Sequence, residues 1–213
     1  MKRSRHLWVG IVALAASAFG APSFAADVVS EWASVKAPPV PELKPVAVDP
    51  KTTALLILDM QIPGCARSDR PRCADSIPAI KTLMDRARAR GMMVLYTFSR
   101  GKPKEIADPG LAPHDGEWIG RYGPDKFQGS DLDERLKARG VKTVIVTGFS
   151  AQGAVLGTST DAALKGYKLV LPVDGISSET PYQEQYSLWQ LFKGGPAAVT
   201  AATTLTRSDM ITF

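Results

Sequence analysis

Four short apolar runs, separated by segments of helical period, constrain this chain more than any other feature. Thr53 to Asp59 reads Thr-Ala-Leu-Leu-Ile-Leu-Asp without a polar interruption before its end. Met92 to Thr97, Val141 to Val146 and Lys168 to Val173 follow in the same style. A strand with one wet face alternates apolar and polar residues, whereas an unbroken run marks a strand covered on both faces, as in a parallel sheet. Between the runs, Ser76 to Arg90 places Ile77, Ile80, Leu83, Met84 and Ala87 on one helical face, and Gly91 stops it. Ser130-Asp131-Leu132-Asp133 reads as a capping box opening a helix that turns Leu132 and Leu136 inward and ends at Gly140. Gly153 to Lys165 reads as a helix of small residues. Thr180 to Phe192 reads as a helix with Tyr182, Tyr186 and Trp189 on one side, and Thr203 to Thr206 as a last strand. Strands alternating with helices predict an α/β fold with a mainly parallel sheet and right-handed crossovers. Sites in such sheets lie at the carboxyl ends of the strands. Asp59 ends the first strand and the turn at Gly148 ends the third, so both fall on one edge.

The first 25 residues read as a targeting segment. Lys2, Arg3 and Arg5 precede an apolar run from Leu7 to Gly20, and Ser23-Phe24-Ala25 offers small residues for cleavage after Ala25. That run is shorter than the roughly 20 residues a bilayer span needs. The expected organisation is a signal peptide at 1–25, a Pro-rich arm at 26–51 and one domain at 52–213, in a periplasmic or secreted protein. The arm carries Pro38, Pro39, Pro41, Pro45 and Pro50 and is expected to be extended. The whole chain has 26 basic and 21 acidic residues; without Lys2, Arg3 and Arg5 the balance is 23 minus 21, or +2. The high isoelectric point is partly a property of the leader. With no basic stripe interleaved with aromatics, no nucleic-acid partner is expected. No membrane partner is expected once the leader is removed.

Cys65 and Cys73 lie eight residues apart. In an exported chain such a pair reads as a disulfide, with two free thiols as the alternative. The loop-entropy model gives so short a ring roughly 2.5 kcal/mol. Zinc needs about four ligands, and beyond the leader the chain has one histidine, His114. Residues 99–129 contain Pro103, Pro109, Pro113 and Pro124 and read as irregular; loops of this length are usually functional.

Leu58-Asp59-Met60-Gln61, followed in order by Thr147-Gly148-Phe149-Ser150-Ala151-Gln152-Gly153-Ala154, resembles the isochorismatase-like hydrolase superfamily, often called cysteine hydrolases. The resemblance covers about Thr52 to Thr206. It implies a three-layer Rossmann-like sandwich, and it implies that Asp59 is the acid/base residue. Members usually carry Cys at the first turn of the helix after Thr-Gly, and here that position is Ala154, which cannot attack a carbonyl. The resemblance also implies a cis peptide between Phe149 and Ser150, with the amides of Ser150 and Ala154 turned into the pocket. There they would favour a developing oxyanion. A family lysine precedes the third strand. Spacing puts Arg121 there, and Lys126 is favoured if the Gly123-Pro124-Asp125 turn shifts the register; the two differ because Arg cannot shuttle protons at neutral pH. Metal-binding members have an aspartate and histidines after the second strand. Thr97-Phe98-Ser99-Arg100-Gly101 stands there instead, so no metal and no cofactor are implied.

Gln61 reads as support for the loop after the first strand, and His114 as incidental. Ser150, Thr158 and Ser159 read as turn or helix residues rather than replacement nucleophiles, and Asp161 as a hydrogen-bonding residue of the fold. Arg67, Arg70 and Arg72 permit anionic partners but read as a solvated cluster. The expected function is hydrolysis of a small molecule by a non-covalent route. In true isochorismatases an acid protonates a vinyl ether and water adds. The alternative is a catalytically silent or periplasmic small-molecule binding protein on the same scaffold, and an amidase with a relocated nucleophile comes third. Self-association is open.

Overall fold

The computed structural model describes residues 26–99 and 106–213. The targeting segment and its cleavage point lie outside the described residues, as do residues 100–105 of the long loop. The described residues fall into two units, 26–38 and the part from 39 to 213. In the first, residues 26–38 hold one 3-10 turn, Trp32–Ser34, preceded by a turn in which the Asp27 carboxylate accepts from the amides of Val29 and Ser30.

The second unit runs β1 (Val46–Ala47), β2 (Thr53–Leu58), α1 (Pro71–Ala89), β3 (Met93–Phe98), β4 (Trp118–Arg121), α2 (Leu132–Ala138), β5 (Thr143–Phe149), α3 (Leu156–Leu164), β6 (Lys168–Pro172), β7 (Ile176–Ser177), α4 (Pro181–Trp189), α5 (Ala197–Ala202), β8 (Thr203–Thr206) and β9 (Ile211–Thr212). The main sheet has the order β4-β3-β2-β5-β6-β8, with β7 paired to the end of β5. All its pairings are parallel. From β2 the chain steps outward through β3 to β4, then returns to the other side of β2 as β5 and continues to β6. The strand order therefore reverses between β2 and β5, which is where ligands bind in open α/β sheets. Register sharpens the point: Leu58 pairs with Gly148, so Asp59 and Phe149 leave the sheet side by side.

The unbroken apolar runs are explained by cover on both faces. Every residue of β2 is buried, and its side chains divide with period two. Ala54, Leu56 and Leu58 face one core, with Leu132 and Leu136 of α2, Ala162 and Ala163 of α3, and Val199 of α5. Leu55 and Ile57 face the other, with Ile80, Leu83, Met84 and Ala87 of α1. Each fully buried Leu, Ile or Met side chain contributes about 1.5–3 kcal/mol of transfer free energy. The result is the expected three-layer α/β sandwich. Residues 39–51 run extended along it. Lys44 N donates to Leu205 O, and β1 pairs in parallel with β9. Among the described residues no helix is long and apolar enough to cross a membrane.

Several boundaries differ from the sequence reading. Helix α1 begins at Pro71 rather than Ser76, with proline in its first turn, and continues through Pro78 in its interior. Ser130 forms no capping box. Its hydroxyl donates to Lys126 O at 2.6 Å and accepts from Leu132 N at 3.1 Å, while Asp133 bonds Tyr167 and Lys137 instead. The helix after β5 starts as a single π turn, Ala151–Val155, before α3, and α4 likewise runs into a π turn, Gln190–Gly194. The irregular 99–129 stretch contains β4, whose four residues are too few to show a period. Arg88 pins this stretch to α1 through a largely buried pair with Glu117 at 2.7 Å and a bond to Ala112 O.

Candidate active site

Asp59 is the first residue past β2 and has φ +54°. Left-handed backbone is costly for most L-residues, by about 1 kcal/mol or more, but Asp tolerates it better than bulky residues. Its amide still bonds Thr97 O of β3, and Gln61 N folds back onto Asp59 O, both at 2.9 Å. The chain therefore turns abruptly at the sheet edge. The same edge demands glycine on the neighbouring strand: Gly148 has φ +119°, and a Cβ there would land on the Leu58 carbonyl oxygen. The peptide from Phe149 to Ser150 is cis.

The Asp59 carboxylate is held from two sides. Oδ1 accepts from Thr97 Oγ1 at 3.0 Å, and Oδ2 accepts from Lys126 Nζ at 2.7 Å. The Lys126 side chain is 0 % exposed and that of Asp59 9 %. Burial pushes the Asp59 carboxyl above the usual carboxylate range, and the charge and hydrogen bonds of Lys126 and Thr97 offset part of that rise. Lys126 is placed by its backbone: its amide donates to Thr158 Oγ1 of α3, whose hydroxyl donates to Pro124 O. Thr158 is thus a brace for the lysine loop, as a structural helix residue would be.

Asp59 opens onto a cavity of about 480 Å3, within the range of small-molecule sites. Ser150, Gly153 and Ala154 from the turn after β5 form one wall. Gln61, Pro63, Gly64 and Arg70 from the segment after β2 form another, and Ser99, Tyr122, Gly123, Pro124 and Phe149 complete it. Ala154 sits where the helix begins and is 4 % exposed. Ala154 and Asp59 both line this cavity. Gln61 also supports its segment, since its carbonyl accepts from Cys65 N at 2.8 Å. Cys65 and Cys73 form a disulfide that ties this segment to the first turn of α1.

Other candidates lie elsewhere. Arg121 ends the edge strand β4, is exposed and is not part of the cavity wall, so the register shift at Gly123-Pro124-Asp125 gives Lys126 the contact with Asp59. His114 is exposed, outside the wall, and contributes its amide to Glu117 at 2.8 Å. Ser159 is wholly buried in the core and absent from the wall. Asp161 pairs with Lys165 at 3.6 Å. The three arginines of the basic cluster separate: Arg67 pairs with Asp75 and Arg72 with Glu184 on the surface, while Arg70 lines the cavity. Treating all three as solvated missed Arg70, and Tyr122, Phe149 and Ser99 were missed with it. A faint signal existed, because Arg70 directly precedes the proline that starts α1 and so returns to the sheet edge. Among the described residues no group of three or more His, Cys, Asp or Glu side chains could hold a metal ion.

A model of the Isochorismatase domain matches residues 53–204. N-carbamoylsarcosine amidase of Arthrobacter sp is 27% identical over 143 residues, which cover 54% of this chain and 54% of that protein. Streptothricin hydrolase of Streptomyces noursei is 26% identical over 157 residues, covering 67% of this chain and 58% of that one. The chain thus spans little more than half the length of these relatives. Among solved structures, a cysteine hydrolase from Pseudomonas syringae pv. phaseolicola 1448A superposes with a TM-score of 0.66 at 22% identity, over 79% of this chain and 94% of that one.

Proposed function

The chain belongs to the isochorismatase family, and from that premise we propose that it hydrolyses a small molecule by a route with no covalent enzyme intermediate. The observation that carries the reading is the buried Asp59–Lys126 pair opening on a cavity where position 154 offers only a methyl group. Asp59 is the acid/base residue. Its raised pKa favours the protonated form needed to hand a proton to the substrate. Water then adds to the resulting cation, and the proton that water loses returns to Asp59; the adduct collapses to a carbonyl as its C–O bond to the leaving group breaks, and its hydroxyl proton departs with the released alcohol. Lys126 stabilises the carboxylate between these steps through its 2.7 Å contact. The amides of Ser150 and Ala154, at the start of the helical turn, stabilise negative charge on a substrate oxygen. Arg121 takes no part.

A screen of small ethers, esters and amides compares wild type with Asp59→Asn. The expected result is turnover by wild type, with a loss of about 10²-fold or more in the variant, the lower end for a general acid/base. No acyl-enzyme should be detectable by mass. Turnover unaffected by Asp59→Asn, or an adduct on Ser150, Thr158 or Ser159, would refute the mechanism. Specific binding of a ligand with no turnover of any substrate would establish the second reading, a binding protein on this scaffold, which the missing nucleophile also supports.

We propose further that the protein is exported and cleaved after Ala25, a reading supported by the Cys65–Cys73 disulfide, since such bonds persist in oxidising compartments. Intact mass of protein from the periplasmic fraction tests it; a retained 1–25 segment would be the contrary result.

A further inference from the structure

Among the described residues the cavity wall carries two charged side chains, Asp59 and Arg70. Asp59 is already matched by Lys126, which has no exposed surface and no approach to a ligand. Arg70 differs on each count. Its side chain is 31 % exposed, and its guanidinium lies over the Phe149 ring at 5.3 Å from the centroid. Stacking fixes the plane of the fork, which reduces the rotamer freedom lost when it binds a flat acceptor. Its Nε donates to Glu179 Oε1 at 3.0 Å, and Glu179 is half exposed. A carboxylate so wet holds its partner weakly. Among the described residues the Nη edge of the fork has no hydrogen-bond partner. The backbone behind it is firm: Arg70 N bonds Ala66 O at 2.8 Å within the segment that the disulfide closes.

We propose that Arg70 is the specificity-determining residue of this cavity and selects a small molecule carrying a carboxylate, whose apolar body packs between Phe149 and Tyr122. The proposal rests on the cavity being the substrate site. A carboxylate matches a planar guanidinium with two parallel hydrogen bonds. The internal neutralisation of Asp59 removes the repulsion that an anion entering the cavity would otherwise meet. Glu179 acts as an internal competitor that the ligand displaces from Arg70.

Benzoate and its neutral isostere benzamide test this by titration calorimetry, with no need of turnover. Wild type should bind benzoate in preference to benzamide. Arg70→Gln should weaken benzoate at least about tenfold, the size of one lost hydrogen bond to a charged group, and leave benzamide within about twofold. Arg70→Lys should fall between, keeping the charge and losing the fork. Glu179→Gln should tighten benzoate, a gain that a merely structural role for the ion pair would not give. Urea midpoints of the variants establish that each is folded. Benzoate affinity unchanged by Arg70→Gln, a parallel loss of benzamide, or no benzoate binding to wild type would overturn the proposal. Failure of hydrolysis with carboxylate selectivity intact would sink the hydrolytic reading alone. Hydrolysis confined to neutral substrates would sink this proposal alone.

Discussion

Removing the charges of Asp59 and Lys126 separately should cost unequal amounts. The Lys126 ammonium is entirely buried; among the described residues it bonds Asp59 and, at 3.5 Å, Tyr122 O. In Asp59→Leu it would be stranded, and a buried charge that loses its partner costs about 3–5 kcal/mol. Asp59 has a cheaper escape in Lys126→Met. It borders the cavity, keeps the Thr97 hydroxyl and can take up a proton, so the loss should be nearer about 2 kcal/mol and should shrink towards acid pH. Apolar replacement of both partners removes the stranded charge, so Asp59→Leu combined with Lys126→Met should be more stable than Asp59→Leu alone. Urea unfolding measures the differences. For a domain of this size each kcal/mol moves the melting temperature by about 2–4 °C, so Asp59→Leu should fall by roughly 6–20 °C. Equal losses in the two single variants, or a double variant that loses their sum, would refute the claim that these groups form one buried, coupled pair.

The pH dependence follows from the same burial. The folded carboxyl of Asp59 has its pKa raised above 3.8, so in the window above 3.8 the native state holds a proton that the unfolded chain has released, and stability falls as pH rises through the folded value; urea midpoints measured from acid to neutral pH should show this fall in wild type and not in Asp59→Asn. Gly148→Ala should cost about 3 kcal/mol or more, since it adds a clash with Leu58 O to left-handed strain, whereas Gly91→Ala, with φ +67° and open space around it, should cost about 1–2 kcal/mol; similar melting temperatures for the two would count against the close approach of β2 and β5. Denatured, non-reduced protein should show no free thiol, and reductant should lower stability by about 2.5 kcal/mol; unchanged urea midpoints on reduction would contradict it. Ala154→Cys should introduce a thiol that an alkylating probe modifies faster than a cysteine placed on the surface, provided that Asp59 lies within proton-transfer reach; equal rates would place residue 154 away from the carboxylate.

The core strands were legible because cover on both faces leaves an unbroken apolar run, and β2 is buried along its whole length. Asp59 stood out because a carboxylate at the end of such a run is out of place unless it has work to do. Lys126 and Arg121 were separable only through a three-residue turn, whose path depends on Thr158 of α3 bonding the Lys126 amide 32 residues away. No local pattern records that bond. Arg70 was hidden for a related reason. Its membership of the cavity depends on α1 starting five residues before the apolar face becomes regular, and its neighbours Arg67 and Arg72 carry the same charge to the surface. The short strands β4, β7 and β9 have too few residues for a period to emerge.

The segment from Pro63 to Arg70 has a consequence for how this scaffold can change. The carboxylate, its lysine and the strand ends form a self-neutralised floor in which any single change meets a backbone clash or a buried charge. Arg70, which lines the cavity, sits instead on a short loop whose two ends are riveted, one to the strand edge and one to the first turn of a helix. Residues between those rivets can be exchanged without disturbing the floor. On the proposed function recognition and chemistry are separable parts, and libraries varied between Cys65 and Cys73 should alter what enters the cavity while leaving the Asp59–Lys126 pair as it is.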